Sequence, residues 1–113
     1  MLVIDDDLDF ADAVAVILDD AGFDVRVGYS ASEGLEFLDD FIPDVAIVDI
    51  QMPVVDGHAL LAIFRAEPRL CQCRFVGISG HTNDNLNSSG FDHFFRKPFD
   101  VNVVLSALLE EVH

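Results

Sequence analysis

Five side chains in this 113-residue sequence have types and positions suited to one chemistry. Asp5 and Asp6 follow the apolar run Met1–Ile4, and Asp49 closes the run Val45–Val48. Ser79 follows Phe75–Ile78, and Lys97 comes just after Phe91–Phe95. Each sits where a predicted strand ends. Three carboxylates gathered together repel one another, which is tolerable only with raised pKa values or a bound cation. Oxygen donors completed by water suit Mg2+ or Mn2+. A carboxylate beside such a cation can act as nucleophile toward a phosphoryl group, and Asp49 is the candidate phosphoacceptor. The candidate metal residues are Asp5, Asp6, Asp49 and the backbone carbonyl of Gln51, with Asp5 acting through water. The Ser79 hydroxyl would donate to one phosphoryl oxygen, and the Lys97 ammonium would reach another. Asp7 is better suited to capping the helix that follows and is left out of the site.

These residues meet only if the apolar runs are neighbouring parallel strands. Met1–Ile4 and Val45–Val48 are continuously apolar, as strands buried on both faces are. Asp24–Gly28 alternates through Val25 and Val27, the pattern of a half-buried edge strand. Between the runs lie helical patterns. Phe10, Ala13, Val14, Ile17, Leu18 and Ala21 share one face, with Gly22 at the stop. Ser30 and Glu33 form a capping box ahead of Leu35 and Leu38. Leu60, Leu61 and Phe64 mark a third helix after the Asp56-Gly57 turn. Asp100 caps a last one, with Val101, Val104, Leu105, Leu108 and Val112 on its apolar face. Strands alternating with helices over this length predict an α/β doubly wound parallel sheet, in which ligands bind beyond the carboxyl ends of the strands.

Composition narrows the partners. The chain carries 16 Asp and 5 Glu against 5 Arg and one Lys, a net charge of −15. Such a surface repels nucleic acid and anionic membrane and favours divalent cations and basic or amphipathic protein surfaces. Abundant Asp with scarce Lys is also a pattern of adaptation to salt. No apolar run approaches the ~20 residues of a membrane span. Cys71 and Cys73, one residue apart, make a poor disulfide and too few ligands for zinc, which fits a reducing cytoplasm.

With those residues in place, the chain resembles the receiver domain of two-component response regulators, from Met1 to His113. The matching pieces are Asp5-Asp6 after the first strand, "VDIQMPVVDG" around Asp49, Ser79 after the fourth strand, and "RKPF" with Lys97. The resemblance implies one receiver domain over residues 1–113. Its fold would be a flavodoxin-like five-stranded sheet of order 2-1-3-4-5 with five helices. It further implies a cytoplasmic protein whose Asp49 takes a phosphoryl group, with Mg2+, from a histidine kinase or phosphotransfer protein. Hydrolysis of that group would be self-catalysed. Activation would move Ser79 toward the phosphoryl group while an aromatic side chain, here Phe94, rotates inward. The tail "GFDHFFRKPF" and the loop "IQMPVVDG" resemble receivers attached to hybrid sensor kinases; a free-standing regulator is the other expected setting. One segment departs from the family. Gly80–Gly90 is built from poor helix formers and is shorter than usual by about one turn, so the fourth helix is expected to be short or disordered.

Two other functions compete. A haloacid-dehalogenase-like phosphatase would read Asp5-x-Asp7 as its catalytic pair, but has Thr or Val where this chain has Leu8 and needs a longer chain. A receiver-like interaction module acting without phosphorylation would use the same fold and none of the chemistry. An EF-hand reading of Asp5, Asp7 and Asp9 fails, because Phe10 stands at the glycine and Val16 at the final glutamate.

Overall fold

The computed structural model describes residues 1–50, 57–79, 91–96 and 102–106. Five parallel strands form one sheet, β1 (Leu2–Ile4), β2 (Arg26–Gly28), β3 (Val45–Asp49), β4 (Arg74–Ser79) and β5 (His93–Arg96), in the order β2-β1-β3-β4-β5. This is the predicted doubly wound sheet, with its switch point between β1 and β3. The continuously apolar runs became the central strands, and every residue of β1 and β3 is buried. The alternating run became the edge strand β2, which is only partly buried.

Helices cover both faces. Helix α1 (Leu8–Asp20) begins at Asp7, whose Oδ1 accepts the Phe10 N–H at 3.1 Å, and gives way to Gly22 at φ 97°. A left-handed residue there is what glycine permits without Cβ strain. Helix α2 (Ala31–Glu36) starts on the expected capping box, with the Glu33 N–H donating to Ser30 Oγ at 3.1 Å. It tightens into a 3-10 turn over Phe37–Asp39, so Leu38 is buried from that turn and not from the helix. Helix α3 (Gly57–Arg65) follows, and residues 102–106 are helical with Val104 buried. The expected fourth helix falls on residues 80–90, outside the described residues, as do Gln51, Lys97 and Asp100.

Two apolar cores result. Leu2, Ile4, Ala46, Val48 and Phe75 meet Leu60, Leu61 and Phe64 on the α2–α3 side. Val3, Val45, Ile47, Val76 and Ile78 meet Ala11, Val14 and Leu18 on the other, together with Val104. Strand β5 starts two residues later than the apolar run suggested. Phe91 lies before it, with its ring over Gly77, where a Cβ would stand 3.0 Å from the ring. The Asp92 N–H donates to the Phe75 carbonyl and the Asp92 carboxylate accepts the Phe75 N–H, both at 2.8 Å. Those contacts fix where β5 pairs with β4.

Candidate functional site

The register of the sheet brings the acidic residues together. Ile4 pairs with Val48 and Asp49 with Ile78, so Asp5 emerges beside Asp49 and Ser79 lies one residue further along β4. Neighbouring strands stand ~4.8 Å apart, and side chains leaving them at one level are in reach of each other. Carboxylate oxygens of Asp5, Asp6 and Asp49 lie within 4.8 Å of one another.

Burial singles out the same edge. Among the described residues the buried polar or charged side chains are Asp5 (0% exposed), Asp49 (5%) and Ser79 (0%), all at the carboxyl ends of strands. Asp6 is exposed and forms the open side of the group. Burying charge is expensive unless it is partnered, and Asp5 and Asp49 both keep partners; gathered with exposed Asp6, they form a group suited to a divalent cation. The donor set is wholly carboxylate oxygen, hard and anionic, and it fits Mg2+ or Ca2+ and not a nitrogen- or sulfur-seeking metal.

The scaffold holds these groups from several directions. The Asp5 N–H donates to the Gly28 carbonyl at 3.1 Å, and Asp5 Oδ1 accepts the Asp7 N–H at 3.0 Å. The carboxylate is thus aimed by the start of α1. Beneath it the chain packs without room for a Cβ. One added at Gly28 would stand 2.7 Å from the Gly34 nitrogen, and one at Gly34 would run into Ile4 Cδ1. Sequence reasoning missed this contact. Its signal was a glycine inside a helix, a position that costs about 1 kcal/mol relative to Ala unless something needs the space. At the rim, the Tyr29 hydroxyl donates to Asp12 Oδ1, and that bond, with burial, raises the tyrosine pKa. On β3 the Ile50 N–H donates to the Ile78 carbonyl at 2.9 Å, so the strand pairing runs one residue past Asp49.

Of the residues singled out in the sequence, Asp5, Asp6 and Asp49 are brought together, and Ser79 ends the adjacent strand. Lys97 and Gln51 lie outside the described residues; β5 reaches Arg96, which pairs in register with Ser79. Phe94 pairs in register with Gly77 and is half-buried, while Phe91 and Phe95 pack against the two cores. Asp7 caps α1 with its carboxylate, the role expected for it, and the acidic group is made of Asp5, Asp6 and Asp49.

The chain matches the family model of the response regulator receiver domain over residues 1–109. Response regulator Rre1 of Synechocystis is 33% identical over 105 residues, covering 88% of this chain and 46% of that protein. The chain thus spans about half the length of the first curated relatives it matches. The crystal structure of the receiver domain of NtrX from Brucella abortus is 30% identical with a TM-score of 0.84, covering 96% of this chain and 94% of that one. A response regulator from Burkholderia pseudomallei, solved with a phosphorylated aspartic acid, a calcium ion and citrate, is 25% identical with a TM-score of 0.83. That match covers 95% of this chain and 64% of that one. The sheet order, the acidic edge and these matches together place the chain in the response regulator receiver domain family of two-component signalling.

Proposed function

We propose that residues 1–113 form one receiver domain that works as a phosphoacceptor switch, with Asp49 as the acceptor. The observation that carries this reading is the close approach of Asp49, buried at the end of the central strand, to the carboxylates of Asp5 and Asp6. An Asp49 oxygen attacks the phosphorus of a phosphohistidine on a histidine kinase or phosphotransfer protein. The N–P bond breaks, an acyl phosphate forms, and the imidazole leaves and takes up a proton. Asp6 and Asp49 would hold Mg2+ together with the Gln51 carbonyl, and Asp5 would orient it. Bound there, the ion would supply Lewis-acid stabilisation of the transferred oxygens. Asp5 is itself fixed by the Asp7 N–H and the Gly28 carbonyl, so it needs no reorganisation as the reaction proceeds. The Ser79 hydroxyl donates to one phosphoryl oxygen and the Lys97 ammonium pairs with another. Water later hydrolyses the acyl phosphate at the same site.

The readout in this proposal is the Ser79–Phe94 edge. Ser79 follows the phosphoryl group, and Phe94, half-buried on the edge strand β5, turns inward and alters the surface that partners touch. The charge of −15 disfavours direct contact with nucleic acid and suits a basic partner surface in the cytoplasm. The test is intact-mass spectrometry after incubation with acetyl phosphate. A phosphoryl adduct that needs Mg2+ and is absent from Asp49→Asn is expected. Absence of an adduct, together with no response to beryllofluoride, would move the reading to an interaction module that works without phosphorylation.

A further inference from the structure

Helix α3 breaks the pattern of the surface around it. Its sequence, GHALLAIFR, holds no Asp or Glu in a chain that has 21 of them. Leu60, Leu61 and Phe64 face the core, but the outward positions are apolar too: Ala59, Ala62 and Ile63 are exposed, Ile63 at 47%. His58 near the start and Arg65 at the end are the polar residues of the run, and Arg65 is engaged with Asp92 at 3.7 Å and with the Phe75 ring at 4.5 Å. A helix apolar all round belongs in an interior, whereas a surface helix normally turns a polar face to water.

Beside this face runs a groove of about 460 Å3 between α3 and α2, with Ile63 on one wall and Leu35 and Ala31 on the other. Its rim is acidic, formed by Glu36 and Asp39 beside Ser32. Arg69 is held by Glu67 and by the Leu38 carbonyl at 3.0 Å, a contact that ties the turn after α3 to the turn after α2. Apolar walls under an acidic rim are complementary to a helix with one apolar face and flanking lysines or arginines.

We propose that the α2–α3 groove docks an amphipathic, basic helical segment of a partner protein. The segment's apolar side chains would lie against Ile63 and Leu35 and its bases against Glu36 and Asp39. Charge selects this occupant: a second copy of the chain would bring another −15, and nucleic acid and anionic lipid are repelled by the same field. The groove is separate from the acidic strand edge, so its occupancy does not require phosphorylation.

The test is an NMR titration of the full chain with a synthetic ~18-residue Leu/Lys helix and with a Leu/Glu helix of the same apolar face. Saturable shifts confined to α2 and α3, produced by the basic peptide alone, are expected. Ile63→Ser should weaken binding about tenfold, as loss of much of an isoleucine contact would. Glu36→Lys with Asp39→Lys should weaken it at least as much at low salt and less at high salt. Ile63 is half-exposed, so its replacement leaves the fold intact; Ser32→Lys, at exposed Ser32 on the groove's rim, offers a second disruption. Shifts spread over the whole acidic surface, or an unchanged affinity in these variants, would overturn the proposal. Self-association that Ile63→Ser abolishes would also overturn it, by assigning the face to a second copy.

Discussion

Replacing Asp5 by Asn should stabilise the protein in metal-free buffer while weakening its response to divalent cations. The carboxylate oxygens of Asp5, Asp6 and Asp49 lie within 4.8 Å of one another, and Asp5 and Asp49 are buried. At an effective dielectric of ~20, two unit charges at that distance cost about 3.5 kcal/mol. Exposed Asp6 adds much less, because solvent and salt screen it. Local relaxation and the partners that Asp5 and Asp49 keep offset part of the repulsion, leaving an expected gain of about 1–3 kcal/mol when one buried charge is removed. Asn is the informative replacement because its Oδ1 can still accept the Asp7 N–H that Asp5 holds at 3.0 Å. For a chain of 113 residues the entropy of unfolding is ~0.24 kcal/mol/K, so each kcal/mol moves Tm by about 4 °C. Calorimetry in chelator should therefore show Tm rising by about 4–12 °C in Asp5→Asn. Added Mg2+ should then raise the wild-type Tm, by about 2.7 kcal/mol of stability at a hundredfold excess over Kd, and raise the variant's by less. A variant that melts at or below the wild-type temperature in chelator would refute the argument. It would mean that the interactions Asp5 makes with its partners outweigh its repulsion from Asp49.

Three further outcomes are expected. Gly34→Ala, a change that gains about 1 kcal/mol in an open helix, should instead lose about 1–3 kcal/mol in urea unfolding, because the new Cβ enters the space of buried Ile4. Burial, with the charges of Asp44 and Asp92, pushes the Cys73 thiol up to about 12 from 9.0. The unfolded chain therefore loses that proton first as pH rises. Stability should fall between pH 9 and 12 by up to ~1.4 kcal/mol per pH unit, and Cys73→Ala should flatten that slope in pH-dependent melting. Raising NaCl from millimolar to molar concentration should raise Tm, because screening relieves the self-repulsion of a chain at −15; a salt-independent Tm would count against that repulsion.

Much of the architecture could be read from the residues because local signals and packing agreed. Continuous apolar runs ended by Asp or Ser gave the central strands and their site edge together, since a polar residue closing a fully apolar strand lies at the carboxyl edge where the strand ends. Gly22 and the Ser30–Glu33 box marked helix ends through backbone requirements that hold in any fold. What was not legible depends on distant partners. The packing of Gly34 against Gly28 and Ile4, beside the Gly28 carbonyl that accepts the Asp5 N–H, needs the approach of α2 to β1, which no local pattern encodes. The late start of β5 follows from Asp92 engaging Phe75 and from Phe91 covering Gly77, both matters of strand register. The outer face of α3 was visible as a list of apolar residues, but periodicity alone could not separate core positions from exposed ones in a helix with so few polar residues.

The central claim is that Asp49, and no other carboxylate of the acidic group, takes the phosphoryl group. Treating the protein with acetyl phosphate and Mg2+, reducing the acyl phosphate with borohydride and mapping the peptides by mass spectrometry tests it most directly. The account predicts reduction at Asp49 alone, abolished by chelation of the metal. Reduction at Asp5 or Asp6 with Asp49 untouched would contradict it.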